Sequence, residues 1–306
     1  MLPAFLTTIL FSVSAVTAHR IARLLGGVEA NFWRISCAMV FLGIWAHGWG
    51  GGLSGDAFLV FLVSGFIGFG IGDIALYQAL PRIGSRLSIL LVHCVAAPFA
   101  ALTEWLWIGT TLSFAQILSS ITILAGVGLA LAPAKHLNLS RRTLWVGGSF
   151  GIVAALGQGM GAVVSRKAYM VAEAAGQEID GLTAAYQRII AGWVVAALFL
   201  MVVRHRTRGR REKDRTDREL SGTPAPWRVA SPWVLVNALS GPMLGVGCYQ
   251  WALATTPTGV VLPIVAITPL VVIPFARWTE GEKPSLRSLL GGVLAVVGAV
   301  ALALSR

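Results

Sequence analysis

Long apolar runs separated by short polar connections dominate the pattern of this chain. A helix needs about 20 apolar residues to cross the hydrocarbon core of a bilayer. Because a backbone in lipid must satisfy its own hydrogen bonds, apolar runs of this length predict membrane-spanning helices. The pattern predicts ten of them, over residues 3–19, 30–47, 57–80, 86–107, 114–132, 143–164, 184–203, 232–254, 258–276 and 286–304.

Two polar stretches interrupt the alternation of runs and short connections. Nine of the 24 Lys and Arg residues lie between Arg204 and Arg228, which predicts a solvated basic loop at 204–231. A second polar stretch, near 133–142, divides the predicted helices into two sets of five. We therefore predict two five-helix repeats, over 1–134 and 143–306.

Short sequence echoes support this division. Tyr77-Gln78-Ala79-Leu80 closes the third predicted helix, and Tyr249-Gln250-Trp251-Ala252-Leu253 closes the eighth, 172 residues later. A rival register of 176 residues aligns Pro98 with Pro274, but 172 also aligns the turns before the last helix of each half. Because each half holds an odd number of helices, like halves must be inserted in opposite senses, an architecture common among transporters.

Composition agrees with a membrane environment. The chain is 56% hydrophobic and 12% charged, with a mean hydropathy of +0.76, whereas soluble domains carry about 25% charged residues. The net charge of +11 would suit nucleic acid, but basic loops between membrane helices explain it better. Cys37, Cys94 and Cys248 fall inside apolar runs with no metal or disulfide spacing. We expect no metal, no cofactor and no nucleic-acid partner.

Several of these features together resemble the EamA-like transporters of the drug/metabolite transporter superfamily. An arginine opens the second helix of each half (Arg34 and Arg188), and Pro269 lies thirteen residues before Glu282 in a Gly-Glu turn that leads into a glycine-rich final helix. The first half departs from the family pattern, since Thr110 stands where the turn glutamate is expected. The resemblance implies a transporter whose fifth and tenth helices lie outside the helices that surround the pathway.

The distribution of basic residues predicts the orientation. Twenty of the 24 Lys and Arg residues lie in the connections that follow odd-numbered predicted helices. Because cytoplasmic loops carry the excess of basic residues, we predict that both termini are non-cytoplasmic. The family resemblance implies the opposite, with both termini in the cytoplasm.

Two ionisable residues fall deep inside predicted helices. Asp73 lies nine residues before Arg82, hence about 13 Å along the helix, and His93 lies seven residues after Arg86, about 10 Å along the next. Ionisable groups in the membrane are costly and mark functional sites by default. We interpret Asp73 and His93 as a candidate proton site; the alternative is a polar contact that only fixes helix packing.

Uncharged polar residues mark a candidate substrate pathway. Tyr77, Gln78, Tyr249 and Gln250 occupy related positions in the two halves, and Gln158 lies among glycines in the sixth predicted helix. These side chains could hydrogen-bond a polar solute. The alternative is an interfacial aromatic belt for the tyrosines and interhelical contacts for the glutamines.

Prolines mark candidate gates. Pro98, Pro263, Pro269 and Pro274 remove donors from the hydrogen-bond ladders of the fourth and ninth predicted helices. Broken helices often lie at transporter binding sites, although a simple packing kink is the alternative. Charges near predicted helix ends are interpreted as snorkelling or orienting groups; these are His19, Arg20, Arg34, Glu104, Arg166, Lys167 and Glu282.

Together these features predict an all-α integral membrane protein of the cell membrane, a monomer or homodimer and not an enzyme. The predicted function is secondary transport of a small organic metabolite, an amino-acid-like exporter working by alternating access with proton coupling. The first alternative is efflux of amphipathic drugs or cations. An integral-membrane enzyme is disfavoured because the five histidines are scattered, and a non-transporting scaffold would need no polar residues at the midplane.

Overall fold

A computed structural model describes residues 2–108, 113–131, 140–221, 226–256, 258–280 and 285–305. All regular structure in these ranges is helical. The two predicted turns at 109–113 and 281–285 lie almost entirely outside the described residues, so the turn residues Thr110 and Glu282 do too. The helices are α1 (Leu2–Leu25), α2 (Gly27–Gly48), α3 (Phe58–Gly65), α4 (Asp73–Ile108), α5 (Phe114–Leu131), α6 (Arg141–Ala174), α7 (Gly181–Ser221), α8 (Pro226–Ala238), α9 (Leu244–Thr255), α10 (Thr258–Val265), α11 (Thr268–Glu280) and α12 (Leu286–Leu304).

Five helical stretches of the described chain are long and apolar enough to cross a bilayer. They are Leu2–Leu25, Phe58–Ala100, Arg141–Ala174, Gly181–Thr207 and Trp227–Thr255. Shorter apolar helical stretches cover Phe114–Val127 and Leu289–Ala301. The chain therefore has the character of a multi-pass membrane protein, while the number of ten membrane helices stays a prediction.

One long helix changes direction where the sequence predicts a boundary between the third and fourth membrane helices. Helix α4 runs from Asp73 to Ile108, but Gly84 inside it has φ 77° and ψ 169°. This backbone conformation is costly for any residue with a Cβ and favours glycine. The helical direction therefore changes at Gly84, between the two predicted spans.

Two π-helical segments lie at corresponding places in the two predicted repeats. Phe66–Gly72 joins α3 to α4, and Leu239–Met243 joins α8 to α9. Adding 172 to the first range gives 238–244, which contains the second. π-helical turns are rare and occur frequently at functional sites.

The ninth predicted membrane helix is divided in two. Helix α10 ends at Val265 and α11 begins at Thr268, with a turn at Ala266 and Ile267. Two side chains bind the carbonyl groups at this break: Thr268 Oγ1 donates to the Val265 oxygen over 2.5 Å, and Cys94 Sγ donates to the Ala266 oxygen over 3.7 Å. The break is therefore held from α4 as well as locally.

The predicted basic loop at 204–231 is not a loop throughout. Helix α7 continues to Ser221, and α8 begins at Pro226. Residues 204–221 are mostly Arg, Lys, Glu and Leu, which are good helix formers, and residues 204–223 contain no proline. The loop was predicted from the density of charged residues alone, without regard to the helix propensity of those residues.

Small residues permit close packing between α5 and α12. A Cβ at Gly126 would lie 2.5 Å from the Ala295 nitrogen, and a Cβ at Gly291 would lie 2.6 Å from the Ala130 nitrogen. Small residues that allow two backbones to approach are typical of helix pairs in membranes. These two helices form a tightly packed pair.

Candidate functional site

A buried ion pair joins α2 to the beginning of α4. Arg34 Nη2 donates to Asp73 Oδ2, and the two side chains are 6% and 18% exposed. Arg34 Nε also donates to Asn31 Oδ1 over 3.1 Å, and its guanidinium lies 4.6 Å from the centroid of the Tyr77 ring. The Arg34 charge is therefore balanced by a carboxylate and held in place by neighbouring groups.

A second buried arginine, Arg188, lies on α7. Its Nε donates to Ser64 Oγ over 2.9 Å, and its guanidinium lies 5.4 Å from the centroid of the Phe69 ring. A Cβ placed on Gly68 or Gly161 would lie 3.0 or 3.4 Å from Arg188 Nη2. The glycines of the first π-helical segment and of α6 thus make room for this guanidinium.

Arg34 and Arg188 occupy matching positions in their helices. Each lies seven residues after the first residue of its helix, Gly27 in α2 and Gly181 in α7. At 1.5 Å per residue this is roughly 10 Å from the helix start. Both are 5% exposed, so the interpretation of Arg34 as a snorkelling charge at a helix end is wrong.

Both arginines line one cavity between the helices, which we call the central cavity. Residues from α1, α2, α4, α6, α7, α9 and both π-helical segments surround it. Its volume of about 80 Å³ holds several water molecules, since each needs roughly 10–15 Å³. The polar side chains that line it are Ser14, Arg34, Asp73, His93, Gln158, Arg188 and Tyr249.

Three of these polar side chains have an atom without a partner. His93 Nδ1, Gln158 Nε2 and the Tyr249 hydroxyl are buried and form no hydrogen bond with any described residue. The ring of Phe11 stacks on His93 at 5.5 Å between centroids and lies 6.1 Å from the Tyr249 ring. Because buried polar groups normally have partners, three unpartnered atoms on side chains that line one cavity are unusual.

The structure brings four of the seven predicted pathway residues to the central cavity. Asp73, His93, Gln158 and Tyr249 line it. Asp73 and His93 share the cavity without a hydrogen bond between their side chains. The predicted proton site therefore has both its groups in one chamber, with Arg34 as the direct partner of Asp73.

The other three predicted pathway residues lie outside the lining of this cavity. Tyr77 is buried beneath Arg34, and its hydroxyl donates to Asn237 Oδ1 over 2.9 Å. Gln78 Oε1 accepts from Arg82 Nη1 over 3.0 Å. Gln250 is fully buried, and both of its side-chain polar atoms lack a partner among the described residues.

Of the candidate gate prolines, Pro98, Pro269 and Pro274 are not among the residues that line the cavity. Pro98 and Pro274 lie inside α4 and α11, whose helical course continues past them. Pro263 belongs to α10, and Pro269 is the second residue of α11. The break at Ala266 and Ile267 thus falls between Pro263 and Pro269.

The cavity has an excess of positive charge. With Arg34, Asp73 and Arg188 ionised, the lining carries two positive charges and one negative charge. Within the described residues, no group of three or more His, Cys, Asp or Glu side chains is arranged to hold a metal ion. The arrangement can bind a small polar solute and is best suited to one with a negative group.

The comparisons with known proteins agree with the fold. A family model described as the EamA-like transporter family matches residues 1–132 and 145–304. A crystal structure of another protein superposes with a TM-score of 0.58 and 19% sequence identity, covering 97% of this chain and 94% of that chain. At this identity the likeness concerns the fold alone. Among curated proteins, none matches this chain.

Proposed function

Since this chain belongs to the EamA-like transporter family, we propose that it is a secondary transporter that exports a small, amino-acid-like metabolite across the cell membrane by alternating access. The family consists of membrane transporters of small molecules. The substrate, the direction of transport and the source of energy are proposals that go beyond membership of this family.

The observation that carries the proposal is the central cavity itself. Burying ionised groups in a membrane protein is expensive, and groups that are retained there usually serve a substrate or ion pathway. Here three charged side chains from α2, α4 and α7 meet in one cavity, together with His93, Gln158 and Tyr249, each of which has a polar atom without a partner among the described residues. A helix bundle stabilised only by packing would not require this arrangement.

Repeated features support a transporter with two related halves. The matching depth of Arg34 and Arg188, the two π-helical segments and the Tyr-Gln pairs at 77–78 and 249–250 all recur along the chain. We propose ten membrane helices in two inverted five-helix repeats, with the cavity between them. Rocking of one half against the other would then expose the cavity to each side in turn.

Proton coupling is the proposed source of energy. Asp73 and His93 both line the cavity, and each can bind or release a proton. Protonation of Asp73 would release Arg34 from its ion pair, which would change the charge of the cavity between the two states of the cycle.

Efflux of amphipathic cations is the second candidate function. It is supported by a carboxylate in a cavity that also contains Phe11, Phe69 and Tyr249. The charge balance opposes it, because Asp73 is paired with Arg34 and Arg188 adds a second positive charge.

Transport by the purified protein in proteoliposomes tests the proposal. Proteoliposomes are loaded with a mixture of the twenty standard amino acids and placed under an imposed pH gradient. They should release at least one amino acid faster than protein-free liposomes loaded with the same mixture. Release of the cation tetraphenylphosphonium alone would favour the second candidate. Release of neither class would contradict the proposed function.

A further inference from the structure

Arg188 carries a buried positive charge that forms no ion pair with a carboxylate of the described residues. It is 5% exposed, and its hydrogen-bond partner is the uncharged hydroxyl of Ser64. That hydroxyl is shared, because Ser64 Oγ also donates to the Gly161 oxygen over 2.7 Å and lies 2.8 Å from Ser165 Oγ. Among the described residues, no acidic side chain forms an ion pair with Arg188.

Asp73 does not fill this role. Its carboxylate binds Arg34 directly, and Arg188 acts on it only at longer range. A buried charge is costly without a partner of opposite sign. An anion bound beside the Arg188 guanidinium would compensate its charge, and the described residues provide no such anion.

Two of the polar side chains that share the cavity with Arg188, Gln158 and Tyr249, carry hydrogen-bond donors. Arg188 Nη2 lies next to the α6 turn that carries Gln158, as the space at Gly68 and Gly161 indicates. Gln158 and Tyr249 line the same cavity. The amide nitrogen of Gln158 and the hydroxyl of Tyr249 are buried without a partner among the described residues, and Tyr249 is 2% exposed. A guanidinium, an amide nitrogen and a hydroxyl can all donate hydrogen bonds to one anionic group.

We infer that Arg188 binds the carboxylate of a small monocarboxylate solute in the central cavity, with Gln158 and Tyr249 as the additional donors. This inference names the substrate class of the proposed transporter and rests on that proposed function. An ionised carboxylate accepts hydrogen bonds only, and it matches the planar fork of an arginine. One negative charge also balances the single excess positive charge of the cavity.

Phosphate shares the chemistry that arginine recognises. We favour the carboxylate because a phosphate dianion would bring a second negative charge close to Asp73, which lines the same cavity. An amino acid also satisfies the proposal, since its carboxylate has the same partners.

Binding to the purified full-length protein tests this inference separately from transport. Thermal unfolding is followed in detergent at constant ionic strength with increasing L-lactate, L-lactamide, L-alanine or inorganic phosphate. Lactate and lactamide are close in size, and only lactate has the carboxylate. We expect lactate or alanine to raise the unfolding temperature in a saturable way, and lactamide to leave it unchanged.

Variants assign the effect to Arg188. Arg188→Gln should weaken the apparent binding of the carboxylate at least about tenfold, the size expected for loss of hydrogen bonds to a charged group. Arg188→Lys should retain part of the binding, because the charge remains without the fork. Arg204→Gln is the matched control on the same helix, where Arg204 is 45% exposed and binds Glu29, and it should behave like the wild type.

Three results would overturn the inference. They are equal stabilisation by lactate and lactamide, stabilisation by phosphate alone, and carboxylate binding that is unchanged in Arg188→Gln. If Arg188→Gln does not fold, the lactate and lactamide comparison in the wild type and in Arg188→Lys decides. Carboxylate binding without transport would retain the inference and contradict only the proposed function.

Discussion

Arg34 and Asp73 form an ion pair 39 residues apart in sequence, with side chains 6% and 18% exposed. The pair ties α2 to the residue at which the first π-helical segment ends and α4 begins. Arg188, at the matching depth in α7, has no such partner among the described residues. The two arginines therefore differ: Arg34 is paired with a carboxylate of the protein, and Arg188 is the group that we propose binds a ligand.

Replacing Asp73 with Asn tests the role of the pair. The change leaves Arg34 buried without its anion, and breaking a buried pair from one side costs about 3–5 kcal/mol. We expect a lower unfolding temperature in detergent and transport reduced by more than about tenfold.

The double variant Arg34→Gln/Asp73→Asn provides the control for stability. Removing both charges should restore much of the unfolding temperature but not proton-coupled transport. Normal transport by Asp73→Asn with an unchanged pH dependence would eliminate Asp73 as a proton site.

The two related tyrosines should respond differently to loss of their hydroxyls. The Tyr77 hydroxyl donates to Asn237, so Tyr77→Phe should cost about 1 kcal/mol of unfolding free energy. The Tyr249 hydroxyl has no partner in the part of the chain that the structure describes, so Tyr249→Phe should leave stability unchanged or slightly improved and raise the KM for transport. Thermal unfolding and transport kinetics of both variants check this. Equal loss of stability in both would assign Tyr249 a structural role only.

Close packing of α6 against the first π-helical segment should make Gly157 sensitive to substitution. A Cβ there would lie 2.6 Å from the Gly72 Cα and 2.9 Å from the Ile67 oxygen. Gly157→Ala should therefore cost about 1–3 kcal/mol, as overpacking usually does. Gly148→Ala is the control in the same helix, because no neighbouring side chain or helix of the described residues comes within 4 Å of its added Cβ. Both variants are measured by thermal unfolding, and a comparable loss of stability in Gly148→Ala would refute the packing argument.

The basic residues predict where the termini lie. Arg34 and Arg188 line the cavity and are therefore no longer counted among the basic residues of the connections. Nineteen Lys and Arg residues then remain in the connections after odd-numbered predicted helices, and three remain on the other side. A reporter that is active only in the cytoplasm, fused to the C-terminus, should stay inactive. Strong activity would place the termini in the cytoplasm, as the family resemblance implies.

Several site residues could be predicted because a polar group in an apolar run is conspicuous. Asp73, His93, Gln158 and Tyr249 were recognisable in this way, and all four line the cavity. Tyr77, Gln78 and Gln250 are equally conspicuous in sequence but lie outside its lining. Small differences in helix rotation decide whether a side chain faces a cavity or a neighbouring helix, and hydropathy does not record them.

The two cavity arginines were missed for a different reason. From hydropathy, the second and seventh helices are predicted to begin at residues 30 and 184. In the structure, α2 and α7 begin three residues earlier, at Gly27 and Gly181. The shift made Arg34 resemble a charge at a helix end. Its recurrence as Arg188 at the same point of the other half was the signal that could have identified both. The helix over residues 204–221 is not predicted either, because a high density of charge argues against a membrane helix but not against a helix in water.

Accessibility of the central cavity from each side of the membrane tests the account most directly. Cys37 and Cys248 would be replaced by Ala, and Cys94 by Ser to keep a donor for the Ala266 oxygen. Gln158→Cys in this background would then be exposed to a membrane-impermeant thiol reagent in right-side-out and in inverted vesicles. Alternating access predicts labelling in both orientations. Labelling from one side only, or from neither, in every condition would contradict it.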